Sequence, residues 1–391
     1  MTLDEFYFLL TDEGQRLLSE MPPITADNHL SIATQLRGQA SPAVAQAIIE
    51  TVILRQEAAV KFSRADQMYF SREALEQSSS EIVSAYRAQR FTQAGIERVA
   101  DLGCGIGGDS LALAATMEVM GVEWHPVRLA MAQENVRVYG HGLNFRPLQA
   151  DLLELTPLPV QAAFFDPARR DENGRRLYSV HQYRPPLTLI DKWRVWIGEA
   201  AVKISPGVDY DELPDDAEIE FISVNSEVKE GILWFGELQS GVMRRATLLP
   251  AGDTLTDSEM PSVPIAITEP RDYLYEPDKA VIRAHLVEAL ADQLGATKLA
   301  EDIAYLTADS RQTTPLARCF VVEDWFPFQL KRLRHYLRER HIGQVVIKKR
   351  GSPLEPETLQ RQLRLQGEEA RIVFLTQVQG EAAVLIAQEV T

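Results

Sequence analysis

The stretch VADLGCGIGGDS, residues 99–110, decides the fold. A short apolar run closes on Asp101, and Gly103, Gly105, Gly107 and Gly108 follow in quick succession. Asp109 and Ser110 then stand as an N-cap pair ahead of Leu111, Leu113, Ala114 and Ala115, a helical pattern. Strand, glycine turn and helix in that order bring bare backbone N–H groups and a helix N-terminus against a nucleotide-like ligand. No Cβ blocks the approach, and glycine takes positive φ without strain. The stretch predicts a site for a nucleoside-containing cofactor.

Two templates fit the loop. Gly103-x-Gly105-x-x-Gly108 satisfies the dinucleotide fingerprint, and Glu123 stands about 20 residues on, where a ribose-binding carboxylate belongs. Asp101 separates the templates, because a carboxylate at the mouth of the turn repels a pyrophosphate. The same charge attracts a ligand that carries an ammonium and a sulfonium, as S-adenosylmethionine does. A nicotinamide-dependent dehydrogenase is further disfavoured by the long helical lead-in and by the acids at Asp151 and Asp166.

Outward from the loop, residues 96–250 alternate strand and helix patterns. Strands are expected near 97–101, 118–123, 143–148, 161–166, 199–204, 218–224 and 242–249, with helices over 127–138 and 185–197. The alternation predicts an α/β fold: a Rossmann-like, seven-stranded, mostly parallel sheet with helices on both faces. Ligands then bind outside the carboxyl ends of the strands, and Asp101, Glu123, Asp151 and Asp166 all fall at such ends.

The segments DLGCGIGGDSLALA, VMGVEWHPVRLAMAQENVRVYG, LNFRPLQADLLEL and AAFFDPARR, within 101–170 and its edges, together resemble class I S-adenosylmethionine-dependent methyltransferases. Within these they are most similar to the RNA-modifying branch that includes trimethylguanosine synthase. The resemblance implies that Asp101, Gly103 and Gly105 cradle the methionine end of the cofactor. It also implies that Glu123 accepts from the ribose hydroxyls and Asp151 from the adenine amine. The segment 66–91, similar in placement to one that closes the cofactor pocket in that branch, makes Phe70 and Ser71 further cofactor contacts. In base-amine methyltransferases the fourth strand ends in Asn/Asp/Ser-Pro-Pro-aromatic. Here it ends in Asp166-Pro167-Ala168-Arg169-Arg170, keeping the acid and first proline and lacking the second proline and the aromatic. Asp166 and Pro167 are the catalytic candidates. Arg169 and Arg170 are substrate candidates, since a guanidinium stacks on a base or pairs with phosphate. Tyr178 and Tyr183 offer stacking faces or core packing.

Residues 1–95 read as a helical region. Thr2-x-x-Glu5 and Ser78-x-x-Glu81 are capping-box patterns, Ser41-Pro42 is an N-cap with Pro at the first helical position, and Val44, Ile48 and Val52 recur at helical spacing. Residues 251–270, rich in Pro, Ser, Thr and acids, read as a linker. Residues 271–391 read as a smaller α/β domain. A helix over 277–294 stops at Gly295, and a strand 318–323, a basic helix 328–341, a strand 344–349, a helix 356–366 and a hairpin 371–388 follow. This third of the chain, with EPDKAVIRAHLVEAL, AYLTADS and VVIKKRGSPLEPETLQRQLRLQG, resembles the THUMP-like domain, which implies RNA by analogy.

A chain of 391 residues with 45% hydrophobic content supports two or three domains with full cores. Its two cysteines, Cys104 and Cys319, belong to no metal-ligand or disulfide pattern, so no metal site is expected and Cys104 reads as a small core residue under the turn. The acidic start MTLDEFYFLLTDEGQ lacks a basic n-region, and no window of ~18 apolar residues exists for a span, so a cytoplasmic protein without membrane partners is expected. The net charge of −16 excludes a generally sticky nucleic-acid binder. Charge is nevertheless uneven. Acids crowd 209–237, while cations crowd 329–371, where Lys348, Lys349 and Arg350 close an apolar strand and make a phosphate footprint. Three readings stay open: an RNA methyltransferase, a small-molecule methyltransferase, and a non-catalytic cofactor-binding protein.

Overall fold

In the computed structural model, which describes residues 1–156, 158–168, 175, 177 and 179–390, the expected alternation is present with two strands added. Six helices come first: α1 (Leu3–Leu9), α2 (Asp12–Ser19), α3 (His29–Arg37), α4 (Pro42–Ala58), α5 (Arg72–Gln77) and α6 (Glu81–Gln93). Then follow β1 (Arg98–Leu102), α7 (Ser110–Leu113), β2 (Glu118–Glu123), α8 (Pro126–Val138), β3 (Phe145–Gln149), β4 (Ala162–Phe165), α9 (Thr188–Ile197) and β5 (Glu199–Ile204). After these come β6 (Glu218–Val224), β7 (Glu227–Phe235), β8 (Arg244–Leu249) and β9 (Asp253–Thr256).

The sheet has nine strands in the order β3-β2-β1-β4-β5-β7-β6-β8-β9, not seven. The four pairings within the run β3-β2-β1-β4-β5 are all parallel. Buried Val99, Ala100 and Leu102 of β1 and the wholly buried AAFF of β4 show why: a strand covered on both faces reads as an apolar run. The order reverses between β1 and β4, so the glycine loop after β1 opens at the switch point where α/β ligands bind. Among the helices, the Thr2–Glu5 capping box forms and Ser41 caps α4 ahead of Pro42. The Ser78–Glu81 box does not form. Ser80 is the N-cap of α6, and Glu81 instead accepts from the backbone N–H of Ser63 at 2.8 Å.

Two compact units divide the chain, Met1–Ala217 with Ile232–Ser240, and Glu218–Gly231 with Gly241–Thr391. The divisions thus fall away from the linker expected at 251–270, whose first part is occupied by β9. The reason lies within the second unit, where β6 and β8 pack on α10 (Lys279–Arg283) and the Arg283 guanidinium lies 5.1 Å from the Phe221 ring centroid.

The second unit continues from β10 (Tyr273–Pro277) and α10 through α11 (Val287–Leu294), β11 (Thr297–Ala300), β12 (Ile303–Ala308), β13 (Ala317–Pro327), α12 (Leu330–Glu339), β14 (Ile342–Lys349), α13 (Pro356–Leu363), β15 (Glu369–Val378) and β16 (Glu381–Glu389). Its seven-stranded sheet runs β11-β12-β10-β13-β16-β15-β14. Only the β14–β15 pair is parallel among the pairings described, and α13 supplies the crossover that a parallel pair needs. The helix expected over 277–294 is broken in two, because His285 takes φ 56° between α10 and α11. Gly295, left-handed at φ 58°, ends α11 as expected. Among the described residues no helix is long and apolar enough to cross a membrane.

Candidate active site

Strand register sets the site. Leu102 at the end of β1 pairs with Val122 of β2 and with Phe165 of β4, and Phe165 pairs with Val202 of β5. The next residue on each strand is therefore Gly103, Glu123, Asp166 and Lys203, four neighbours on one edge of the sheet. Asp101 lies deeper, opposite Gly121 and Phe164. Asp151 stands two residues beyond β3, exposed, its Oδ1 accepting from the Leu153 N–H at 2.9 Å.

The glycine turn is held from both sides. Gly103 and Cys104 both donate backbone N–H bonds to the carbonyl of Val122, each at 2.9 Å. Glu123 is buried and bidentate, taking the Gly105 N–H at 3.1 Å and the His125 N–H at 2.9 Å. Gly103 at φ 83° and Gly105 at φ 56° occupy the left-handed region, and a Cβ on Gly105 would meet nothing within 4 Å. The turn thus presents an open face. Cys104 is buried beneath it, its thiol pushed well up by burial and by the nearby Asp101 and Glu123.

Asp101 is 1% exposed and accepts from the Ser110 hydroxyl at 2.5 Å. Burial, with Asp166 adding to it and Ser110, Arg87 and Lys203 opposing it, pushes its carboxyl up to about 7. A carboxyl so placed favours a cation that enters the site. Asp109 stands at the N-cap of α7 as expected but makes no side-chain cap bond: its carboxylate pairs with the buried Arg87 and accepts from Ser79. Arg87 also donates to the Ser79 Oγ at 2.8 Å and lies 4.9 Å from the Phe164 ring centroid.

Asp166 presents a carboxylate that is one-fifth exposed and salt-bridged at 2.6 Å to Lys203, whose side chain is 3% exposed. Beyond Pro167, Ala168 exchanges backbone hydrogen bonds with Arg184 at 3.0 and 3.2 Å. Arg169, Arg170 and Tyr178 lie outside the described residues. Tyr183 is buried and its hydroxyl accepts from the Ser205 N–H at 2.9 Å, which makes it a core residue.

A further side chain ties the segment ahead of the loop to it. Asn135 of α8, fully buried, accepts from the Tyr69 N–H at 2.7 Å and donates to the carbonyls of Tyr69 and Ile106, both at 2.9 Å. This fixes Phe70, buried against Phe62, and Ser71, which caps α5 through the Ala74 N–H. Asp109 and Asn135 lie in segments that carry the resemblance, and Ser79 and Arg87 in the segment 66–91, but the sequence marks none of these four as a member of a site, and Lys203 lies outside those segments. Lys203 alone leaves a signal there, a lone cation closing the apolar run AAV.

Comparison with known proteins agrees with this geometry. The RNA cap guanine-N2 methyltransferase profile matches residues 96–177, a THUMP domain-like profile matches 317–389, and a domain of unknown function matches 2–58. An uncharacterized S-adenosylmethionine-dependent methyltransferase of Mycobacterium tuberculosis, found in strains CDC 1551 and H37Rv, is 35% identical over 347 residues, covering 85% of this chain and 92% of the relative. The chain belongs to the S-adenosylmethionine-dependent methyltransferases. The fold is shared with the crystal structure of a Porphyromonas gingivalis W83 protein named as a methyltransferase, at TM-score 0.76 and 21% identity, covering 95% of this chain and 100% of that one. The dehydrogenase and scaffold readings are thereby set aside.

The residues present fit the methyltransferase cofactor, since the buried Asp101 calls for a cation and the Gly103–Gly105 turn leaves room for one to approach. Among the described residues no group of three or more His, Cys, Asp or Glu is placed to hold a metal. The cations that the sequence marked as a phosphate footprint are engaged already. Lys348 pairs with Glu276, Lys349 with Glu355 at 2.6 Å, and the Arg350 guanidinium lies 5.1 Å from the Tyr305 ring centroid.

Proposed function

We propose that this methyltransferase acts on RNA and that Asp166, braced by Pro167, holds the acceptor. The observation that carries the reading is the shared sheet edge, on which Asp166 follows one strand away from the Gly103 turn. The Asp166 backbone oxygen lies only 3.6 Å from where a Gly103 Cβ would stand. That closeness supports a reading in which cofactor and acceptor are held side by side.

On this reading Asp101, Gly103 and Gly105 take the methionine end of the cofactor, Glu123 the ribose and Asp151 the adenine amine. Phe70 and Ser71, anchored through Asn135, close the pocket. Bound there, the cofactor supplies an electrophilic methyl group on a sulfonium. Asp166 accepts a hydrogen bond from the acceptor N–H or O–H and so aims its lone pair, a contribution of position more than of chemistry. Buried Phe164 and Phe165, with the wholly apolar β4, keep water from the floor of the site.

RNA as the acceptor is supported by the family profiles over 96–177 and 317–389 and by exposed Lys331, Arg332 and Arg338 on α12. Arg169 and Arg170 follow Asp166 closely in sequence and are proposed substrate contacts, as are Lys348, Lys349 and Arg350. A cytoplasmic location goes with an RNA acceptor. The internal pairing of Lys348 and Lys349 favours a second reading, a small-molecule acceptor. Mass spectrometry of nucleosides from total RNA of a strain lacking the gene, against its parent, separates the two. One methylated nucleoside missing from the deletion strain is the expected result, and an unchanged set assigns the enzyme to a small molecule.

A further inference from the structure

Lys203 is a buried cation on a strand end, and nothing in the proposed roles above uses it. It closes the apolar run of β5 with its side chain 3% exposed. An ammonium withdrawn from water to that extent is costly unless charge and hydrogen bonds compensate it. Two partners do. Its Nζ donates to Asp166 Oδ2 at 2.6 Å and to Ser79 Oγ at 3.0 Å. Ser79 is held in turn by Arg87 at 2.8 Å and by Asp109 at 3.3 Å, and Arg87 pairs with Asp109. The acceptor-side carboxylate is thus joined, through one lysine and one serine, to the first turn after the glycine loop.

We propose that Lys203 is a positioning residue of the acceptor site: it holds the Asp166 carboxylate as an oriented anion that accepts a hydrogen bond from the acceptor's nucleophilic atom. The inference rests on the proposed role of Asp166 and adds a constraint on substrate class. A carboxylate locked to an ammonium only accepts hydrogen bonds and has no proton of its own to give. The acceptor atom must therefore carry its own hydrogen, as an exocyclic amine or a hydroxyl does and an unprotonated ring nitrogen does not. It also gives Lys203 a geometric task that arginine can share in part, because a guanidinium donates to a carboxylate but with a different reach.

Four variants of the full chain test this: Asp166→Ala, Lys203→Met, the double variant and Lys203→Arg. Methyl transfer is read as tritium moved from labelled S-adenosylmethionine into the RNA fraction and the small-molecule fraction of an extract from the deletion strain. Cofactor affinity is read by calorimetry, and stability of the cofactor-free protein by urea unfolding. Lys203→Met is expected to lower transfer by about 10²-fold while cofactor affinity stays within about threefold. The double variant is expected to be no slower than Asp166→Ala, since groups that act as a unit are not additive. Lys203→Arg is expected to recover at least about a tenth of wild-type transfer, and the urea midpoint of the double variant to fall by less than the sum of the singles.

If Asp166→Ala is inactive and Lys203→Met is fully active, the inference fails while the role of Asp166 stands. Additive losses, or Lys203→Arg as inactive as Lys203→Met, also overturn it, for they mark a lysine that only holds the fold. Full activity of Asp166→Ala overturns the proposed role of Asp166 and this inference with it, and so does wild-type protein that labels neither fraction. Should Lys203→Met fail to fold, Lys203→Arg is combined with Asp166→Asn: a double variant no slower than Asp166→Asn alone supports the inference, and additive losses overturn it.

Discussion

Asp101 shows how much one side chain carries at the residue scale. Its carboxyl, pushed up to about 7 by burial, holds its proton in the folded protein over an interval where the unfolded chain has released it, from about pH 4 upward. This contribution to stability is complete below about pH 4 and is lost as pH rises through about 7. The urea midpoint of the cofactor-free protein is therefore expected to fall across that interval, and Asp101→Asn is expected to flatten the fall. A cationic ligand favours the ionised form, so S-adenosylmethionine affinity should rise with pH over the same range and binding should release protons. Calorimetry in two buffers of different ionisation enthalpy reads that release. Asp101→Ala should cost about 1.5–3 kcal/mol of cofactor binding, the range for a charge-assisted hydrogen bond. Asn135→Ala is a different kind of change. It strands the Tyr69 N–H and the Tyr69 and Ile106 carbonyls, at roughly 1–3 kcal/mol for each group left buried without a partner. Thermal unfolding should show the loss, and on the proposed roles of Phe70 and Ser71 cofactor affinity should fall with it.

Among the elements, β2 illustrates a constraint that composition conceals. Gly121 lies beneath the Phe145 ring, and a Cβ there would come within 2.3 Å of it and 3.2 Å of the Cys104 sulfur. Gly121→Val should destabilise the protein by about 1–3 kcal/mol or more through overpacking, measured by urea unfolding. The helix α12 belongs to this scale too. Its Lys331, Arg332 and Arg338 are exposed, whereas Lys348 and Lys349 at the end of β14 are ion-paired. On the RNA reading, Lys331→Ala with Arg338→Ala should weaken RNA binding, and the log–log salt slope should shrink by roughly 0.7–0.9 for each phosphate that is no longer neutralised. Lys348→Ala with Lys349→Ala should change the slope less. Filter binding across a salt series checks both. Ser78 shows where local pattern misleads: the capping-box spacing is present, but Glu81 is drawn to the Ser63 N–H, a partner that only the fold supplies.

Across the whole molecule, the grouping of strands departs most from what the chain's linear order suggests. A chain ended at residue 250 matches the expected domain edge, yet it removes α10 from β6 and β8, which pack against it. Such a truncation is expected to lose cooperative unfolding, seen as a broadened thermal transition by circular dichroism. The strands of the core, the acids at their carboxyl ends and the glycine turn were all legible, because apolar runs, glycines and a switch to helical spacing are local properties of sequence. The same holds for Asp101, Gly103, Gly105, Glu123 and Asp166 as one set, since a parallel sheet brings its strand ends together without further information. Strand β7 escapes a sequence reading because Glu227, Lys229 and Glu230 mask the apolar GILWF that follows, and β9 because Asp253, Thr254 and Thr256 read as linker. The break at His285 leaves no glycine or proline to announce it.

The sequence by itself determined the α/β core, the S-adenosylmethionine-type loop and the acidic strand ends, since each depends on neighbours a few residues apart. Only tertiary structure decided that Lys203 meets Asp166, that Arg87 and Ser79 meet Asp109, and that the cations at 348 and 349 meet Glu276 and Glu355. Those partners, with the Ser79–Lys203 link among them, stand between 6 and 124 positions apart along the chain. Burial removes the water that would otherwise solvate a charge, so buried groups such as Lys203 and Arg87 must be met by partners that only the assembled fold supplies.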